Sequence, residues 1–329
     1  MRLLTLNARL EGEPSSDDLQ RIYRSLRLIR RAEEEIARLY PSDKIKSPVH
    51  LSIGQEAVAV GVCEALGPDD VVSPTYRGHA ALLAKGGSLK GMMAELYGKA
   101  TGLTGGKGGS MHLIDMSHNV LGASAVVGTT IPVAVGHALA FKRMKSMRVV
   151  AAFFGDGATE EGVFAESLNF AALHRLPVLF VCENNAYAIH TPVAKRWATE
   201  RLIERVASYG IPAARIEDGD VLAIRAQAAD AVAKMRGHDG GPHFLECRTY
   251  RWREHVGPNE DYDAGYRSRA ELAPWQRNDQ LERIGVRLAP VRRAAIDAAI
   301  EREIAEAIAF AEDSPFPERE TLFTDVFAG

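Results

Sequence analysis

Cysteine is scarce: Cys63, Cys182 and Cys247 are the only three in 329 residues, far apart, and two of them sit inside apolar runs. A disulfide framework is therefore not expected, and reduced thiols point to a cytoplasmic protein. An excess of charge of either sign is also lacking: a formal net charge of -3 and a pI near 6.4 leave no electrostatic footprint for nucleic acid or an anionic membrane. The short basic run at residues 27–31 reads as a solvated helix face. No segment supplies about 18 uncharged apolar residues, so no membrane span is expected. The opening MRLLTLNARLEGEP has too short an apolar stretch for a signal peptide. Two phosphate-binding signatures are missing as well. No GxxxxGK[ST] string occurs in the glycine-rich stretch 105–109, which is left as a subunit-contact or cofactor-facing loop. No GxGxxG follows an N-terminal strand, which sets aside a nicotinamide-dependent dehydrogenase. Internal repeats and low-complexity linkers are absent.

What is present is ordinary globular composition, 46% hydrophobic and 25% charged, enough for a substantial core. Ser16 and Asp17 offer a helix N-cap, and Leu19, Ile22, Tyr23, Leu26, Ile29, Ile36 and Leu39 recur at helical spacing up to Pro41. A helix over 55–66 stops at Gly67 and Pro68, a short strand covers 71–73, and another helix runs from Arg77 to Lys85. The cleanest pattern lies mid-chain: an apolar strand over 149–154, a helix over 159–174 and a second apolar strand over 178–182. Continuous apolar strands joined by a helix are buried on both faces, which predicts an α/β fold with a parallel sheet and helices on both faces. Helices over 200–209 and 223–235, a strand over 243–250, an irregular stretch over 251–275 and a terminal helix carrying Val291, Ile296, Ile300, Ile304 and Ile308 complete the reading. One domain over 1–329 with helical extensions at both ends is expected.

The string GDGA at 155–158 falls where a buried strand ends and a helix begins, the position at which open α/β sheets bind ligands. Gly155 and Gly157 permit a tight turn and close approach to a phosphate, and Asp156 can reach a cation. By itself this string is weak, and a tight turn with a capping aspartate describes it better. The next strand ends in Glu183, Asn184 and Asn185, so two adjacent parallel strands deliver a carboxylate and an amide oxygen to one crevice. Mg²⁺ takes octahedral oxygen coordination from one or two side chains together with phosphate oxygens and water, a demand that Asp156 and Asn185 meet.

Glycine-aspartate-glycine, a spacer of one helix and one strand, and paired asparagines resemble the thiamine-diphosphate motif. Further strings extend the likeness: HLSIGQEA from His50, TYRGH from Thr75, GGKGGSMH from Gly105, ENNAYAI from Glu183, TYRWREH from Thr249 and LFTDVF from Leu322. Nearly the whole chain thus resembles, in order, the alpha subunit of the decarboxylating component of 2-oxo acid dehydrogenase complexes, the pyruvate, branched-chain and acetoin group. The resemblance implies the thiamine-diphosphate-binding fold, with Asp156, Asn185 and the Tyr187 carbonyl on Mg²⁺. It implies Tyr76, Arg77 and Arg251 on the diphosphate, Gly157 and Ala158 as backbone donors, and Ala125 and Val127 on the aminopyrimidine through their backbone. Ile189 would be the apolar side chain that bends the cofactor, His255 the loop histidine of the active site, and His50 a second histidine near substrate. A beta subunit would supply the glutamate missing here, in an α2β2 heterotetramer that passes an acyl group to a lipoyl acyltransferase.

This chain departs from mitochondrial pyruvate-type relatives, which carry His-Gly-His-Ser where Arg253, Glu254, His255 and Val256 stand. The phosphorylated serine is absent, so control by that route is not expected, and the two charges beside His255 are expected to shift substrate preference. His79 stays open between a site and a structural role. A 2-oxo acid or acetoin as substrate, a biosynthetic acyl transfer, and a non-catalytic scaffold of the same fold also remain open.

Overall fold

Strand residues alternate between the two faces of a sheet, so a strand covered on both sides must be apolar at consecutive positions. The computed structural model bears this out; it describes residues 13–237 and 240–324. The opening 1–12, which holds most of the stretch read for a signal peptide, and the end of the LFTDVF string lie outside the described residues. In chain order come α1 (Ser16–Leu39), α2 (Glu56–Cys63), β1 (Val71–Ser73), α3 (His79–Ala84), α4 (Leu89–Leu96) and α5 (Thr130–Arg143). They are followed by β2 (Val150–Gly155), α6 (Gly162–Leu173), β3 (Val178–Asn184), and the short strands β4 (Tyr187–Ala188) and β5 (Thr191–Pro192). Next are α7 (Leu202–Ala207), β6 (Ala213–Ile216), α8 (Val221–Arg236), β7 (His243–Arg248), α9 (Arg269–Arg277), α10 (Gln280–Gly285) and α11 (Pro290–Asp313).

Five strands form one sheet in the order β1-β2-β3-β7-β6, every neighbouring pair parallel. Val150, Ala152 and Phe154 of β2 pack with Val178, Phe180 and Cys182 of β3 against α5, α6 and α7. The intervening Ala151, Phe153, Leu179 and Val181 pack on the opposite face against α1, α2, α8 and α11. Helices therefore cover both faces, as the apolar runs require. Register sets Gly155 at the end of β2 opposite Glu183 of β3. The carboxyl ends of two neighbouring strands thus deliver GDGA and ENN to the same edge. β4 and β5 form a separate antiparallel hairpin just beyond β3.

Several boundaries shift for local reasons. The N-cap of α1 is Ser15, not Ser16 or Asp17, because Ser15 and Asp18 close a reciprocal capping box. The helix expected from Thr159 starts at Gly162: Thr159 Oγ donates to the Asp156 carbonyl at 2.8 Å and winds residues 156–160 into a 3-10 turn. α4, α5 and β6 carried no sequence signal, since α5 (TIPVAVGHALAFKR) mixes apolar residues, Pro and Gly without a clear polar face. In α11 Ile300 and Ile304 are buried, whereas Val291, expected on the same stripe, projects into solvent. Cys63, Cys182 and Cys247 are free and buried. Among the described residues no helix is long and apolar enough to cross a membrane.

Candidate active site

A cavity of about 280 Å³ opens at the carboxyl ends of β2 and β3. Asp156 lines it and is almost wholly buried; Oδ2 accepts from Arg196 Nη2, while Oδ1 is buried with no hydrogen-bond partner. Burial raises the Asp156 pKa, and Arg196 offsets this only in part. Asn185, the first residue past β3, also lines the cavity; its Oδ1 accepts the Tyr187 N–H at 3.1 Å. Its neighbour Asn184 is spent structurally, donating to Glu246 at 2.7 Å and accepting from the Ala186 N–H at 3.0 Å. Gly157 is needed because β4 presses on it: a Cβ there would lie 2.9 Å from Ala188 Cβ. A Cβ on Gly155 would meet nothing within 4 Å. Ala158, Val127, Tyr187 and Ile189 line the same cavity, but Ala125 does not; its neighbours Ser124 and Val126 do.

Tyr76, Arg77 and His255 line the cavity as well. His50 lies behind them, its ring 4.6 Å from Tyr76 and 5.1 Å from His255 between centroids. Burial, with Arg77 nearby, holds both histidines down at about 3, so both rings are neutral at physiological pH. Arg77 donates to the Leu51 carbonyl at 2.6 Å and the His255 carbonyl at 3.1 Å. Burial and Arg251 bring its pKa down to about 10, which still leaves it a cation. Glu183, also on the cavity wall, is pushed up to about 7 by burial against the pull of Arg77.

A family model described as the dehydrogenase E1 component matches residues 24–320. The chain belongs to that family. The E1 chain is similar to the alpha subunit of acetoin:2,6-dichlorophenolindophenol oxidoreductase of Bacillus subtilis (strain 168), 39% identical over 311 residues that cover 93% of this chain and 92% of the relative. It is 41% identical to the pyruvate dehydrogenase E1 component subunit alpha of Zymomonas mobilis over 320 residues, 95% of this chain and 89% of the relative. The corresponding alpha subunit of Rhizobium meliloti is 39% identical over 322 residues, 96% of this chain and 91% of the relative. The E1 chain is accordingly the alpha subunit of a thiamine-diphosphate-dependent 2-oxo acid dehydrogenase, an oxidoreductase that works with a beta subunit.

Other expected positions of the E1 chain fall away from the cavity wall. Arg251 is buried behind it, donating to the carbonyls of Arg253 at 2.8 Å and Ile189 at 3.1 Å. Ile189 itself adopts a left-handed φ of 54°, rare for a β-branched residue, and Arg251 pins its carbonyl there. Glu254 closes its own loop, accepting from the Asn259 N–H at 2.8 Å, and so shapes the segment beside His255. The Arg253 carbonyl accepts from Arg251 and from Arg267, and neither Arg253 nor Glu254 lines the cavity. His79 joins the core, Nε2 2.8 Å from Ser110 Oγ and Nδ1 3.3 Å from Glu33. No residue of 105–109 lines the cavity; the loop wraps the carboxylate of Glu95, which accepts the N–H groups of Thr104, Gly106, Gly108 and Gly109 at 2.8 to 3.0 Å. Two contacting side chains escaped sequence reasoning. Gln55 stood inside the quoted HLSIGQEA string without a role, and Arg196 stands in a stretch with no motif.

Proposed function

We propose that this chain holds the Mg²⁺-diphosphate end of thiamine diphosphate, in a site completed by the beta subunit. The observation that carries the reading is Asp156 Oδ1, a buried carboxylate oxygen without a partner, in the cavity that Asn185 also lines. A buried unpaired carboxylate oxygen is costly unless a cation meets it, and one carboxylate with an amide oxygen suits a hard divalent ion. Asp156, Asn185 and the Tyr187 carbonyl would hold Mg²⁺. Arg77, a buried cation on the wall, and Tyr76 would meet the diphosphate, with Gly157 and Ala158 adding backbone donors. Arg251 would act through Ile189 and the His255 loop, since it holds the Ile189 and Arg253 carbonyls and, unlike Arg77, does not line the cavity. Val127, the backbone near Ala125, and Ile189 would face the rest of the cofactor. When bound, thiamine diphosphate supplies the electron sink for cleaving the bond beside the substrate carbonyl. Neutral His255, backed by neutral His50, is suited to accept a proton at an imidazole nitrogen or to donate its N–H to the substrate.

The substrate is a 2-oxo acid, decarboxylated, with the acyl group handed to a lipoyl carrier; relatives named for pyruvate and for acetoin stand at similar identity. Exposed Val126, Val127 and Ile189 on the cavity wall support closure of the site by the beta chain, in an α2β2 heterotetramer. A lipoyl acyltransferase partner, a single domain over the whole chain and a cytoplasmic setting, to which the three free thiols lend support, belong to the same reading. Calorimetric titration of thiamine diphosphate with Mg²⁺ into the chain, alone and with its beta partner, tests it. Binding that requires Mg²⁺, tightens with the partner and disappears in Asp156→Ala is the expected result. Absence of heat in every combination would overturn it in favour of a scaffold that kept the fold.

A further inference from the structure

Arg196 touches Asp156 from outside the cavity. Its side chain is 7% exposed, and all three guanidinium nitrogens are engaged: Nη2 with Asp156 Oδ2, Nη1 with Glu160 Oε1, and Nε with the Thr191 carbonyl at 3.0 Å. Trp197 Nε1 donates to the same Glu160 oxygen at 2.8 Å. The guanidinium lies beside the GDG turn: a Cβ on Gly157 would stand 4.0 Å from Arg196 Nη1. Arg196 does not line the cavity, whereas Asp156 does.

We propose that Arg196 is the positioning residue of the metal ligand Asp156, clamping Oδ2 from behind so that Oδ1 alone is presented to a divalent cation. This rests on the reading of Asp156 as a metal ligand. Nη2 meets Oδ2 while Nη1 and Nε are held by Glu160 and the Thr191 carbonyl, so the donor stands at a fixed point, where the mobile ammonium of a lysine would not. Mg²⁺ demands near-ideal octahedral geometry, so a carboxylate free to rotate, or to offer both oxygens, binds it less well than one held with a single oxygen free. The orphaned Oδ1 fits that division of labour: a guanidinium with every nitrogen in use still leaves one carboxylate oxygen unmet. The contact to Thr191 adds a second consequence. Thr191 belongs to β5, paired with Tyr187–Ala188 of β4. Arg196 thereby straps the hairpin bearing the Tyr187 carbonyl and Ile189 to the turn bearing Asp156, and sets the spacing between metal-facing groups that lie on separate elements.

The test uses the alpha chain co-purified with its beta partner, with thiamine diphosphate present and Mn²⁺ as the probe, because octahedral oxygen sites take Mn²⁺ as well as Mg²⁺. Mn²⁺ dissociation constants are read by electron paramagnetic resonance for wild type, Arg196→Gln, Arg196→Lys and Asp156→Ala, alongside melting of the metal-free protein. Outer partners of metal ligands typically contribute about 10- to 100-fold in affinity, and Arg196→Gln is expected to weaken Mn²⁺ by that amount while Arg196→Lys falls between it and wild type. Unchanged Mn²⁺ affinity in a folded Arg196→Gln overturns the proposal, and so does tightened affinity, which would make Arg196 a competitor for the carboxylate. If Arg196→Gln fails to fold, Arg196→Lys decides: binding equal to wild type overturns it. Wild-type Mn²⁺ affinity in Asp156→Ala would instead overturn the metal-ligand reading beneath it.

Discussion

The side-chain amide of Asn185 donates from Nδ2 to Gln55 Oε1 over 2.9 Å, both groups buried on the cavity wall. This contact fixes which end of the amide faces the Tyr187 backbone, and so keeps Asn185 Oδ1 on the Tyr187 N–H. Gln55→Leu strands a buried donor, a loss of about 1–3 kcal/mol, and frees the amide to turn. Gln55→Glu keeps an acceptor in place. The expected order of Mg²⁺ concentration for half-saturation by thiamine diphosphate is wild type, then Glu, then Leu, read by calorimetry. Equal values for all three would remove Gln55 from the site.

Ile189 shows a conflict between local comfort and site geometry. Its left-handed φ of 54° costs about 1–3 kcal/mol in a β-branched residue, and the side chain is more than half exposed, so little burial compensates. Ile189→Gly relieves the strain, against about 0.5–1 kcal/mol of added unfolded-state freedom. The variant is expected to melt at the same temperature as wild type or slightly higher, yet to bind cofactor more weakly because the apolar wall is gone. A large drop in melting temperature would show that Ile189 is held by packing after all.

At Gly157 the constraint is space. A Cβ would stand 2.9 Å from Ala188 Cβ, so Gly157→Ala must push β4 away from the turn, at about 1–3 kcal/mol for overpacking. Ala188→Gly in the same chain removes the opposing methyl and is expected to recover most of the loss. Thermal denaturation of the single and double variants measures this; absence of recovery would place the clash elsewhere.

His50 and His255 titrate near 3 in the folded chain, against 6.5 for an unperturbed histidine. Below pH 6.5 the unfolded chain takes up protons that the folded chain refuses, so their contribution to stability is complete above that value and is lost as pH falls toward 3. Glu183, raised to about 7, acts with the opposite sign in part of the window, which makes a comparison of variants necessary. Melting of the cofactor-free wild type is expected to fall more steeply on acidification below pH 6.5 than that of the His50→Asn, His255→Asn double variant. Identical slopes would mean that neither ring is shielded.

The parallel sheet, its helices on both faces and the delivery of Asp156 and Asn185 to one edge were all legible in the residues, because continuous apolar runs in β2 and β3 admit no other burial. The left-handed Ile189, the turn of Arg251 away from the cavity toward backbone carbonyls, and the self-closing loop of Glu254 were not, since each depends on which distant carbonyl lies within reach. His79 shows the same limit: its pairing with Ser110 and Glu33 arises where α3, the segment after the glycine-rich loop and α1 meet in the core. The glycine-rich stretch, read as a subunit-contact or cofactor-facing loop, carries no sign in sequence that its N–H groups close on Glu95. Sequence by itself determined the family and the fold, through local patterns that survive any register. Only tertiary structure decided that Asp156 has one oxygen clamped by Arg196 and one free, because Arg196 reaches that carboxylate through a hairpin whose position is set by contacts no linear pattern encodes.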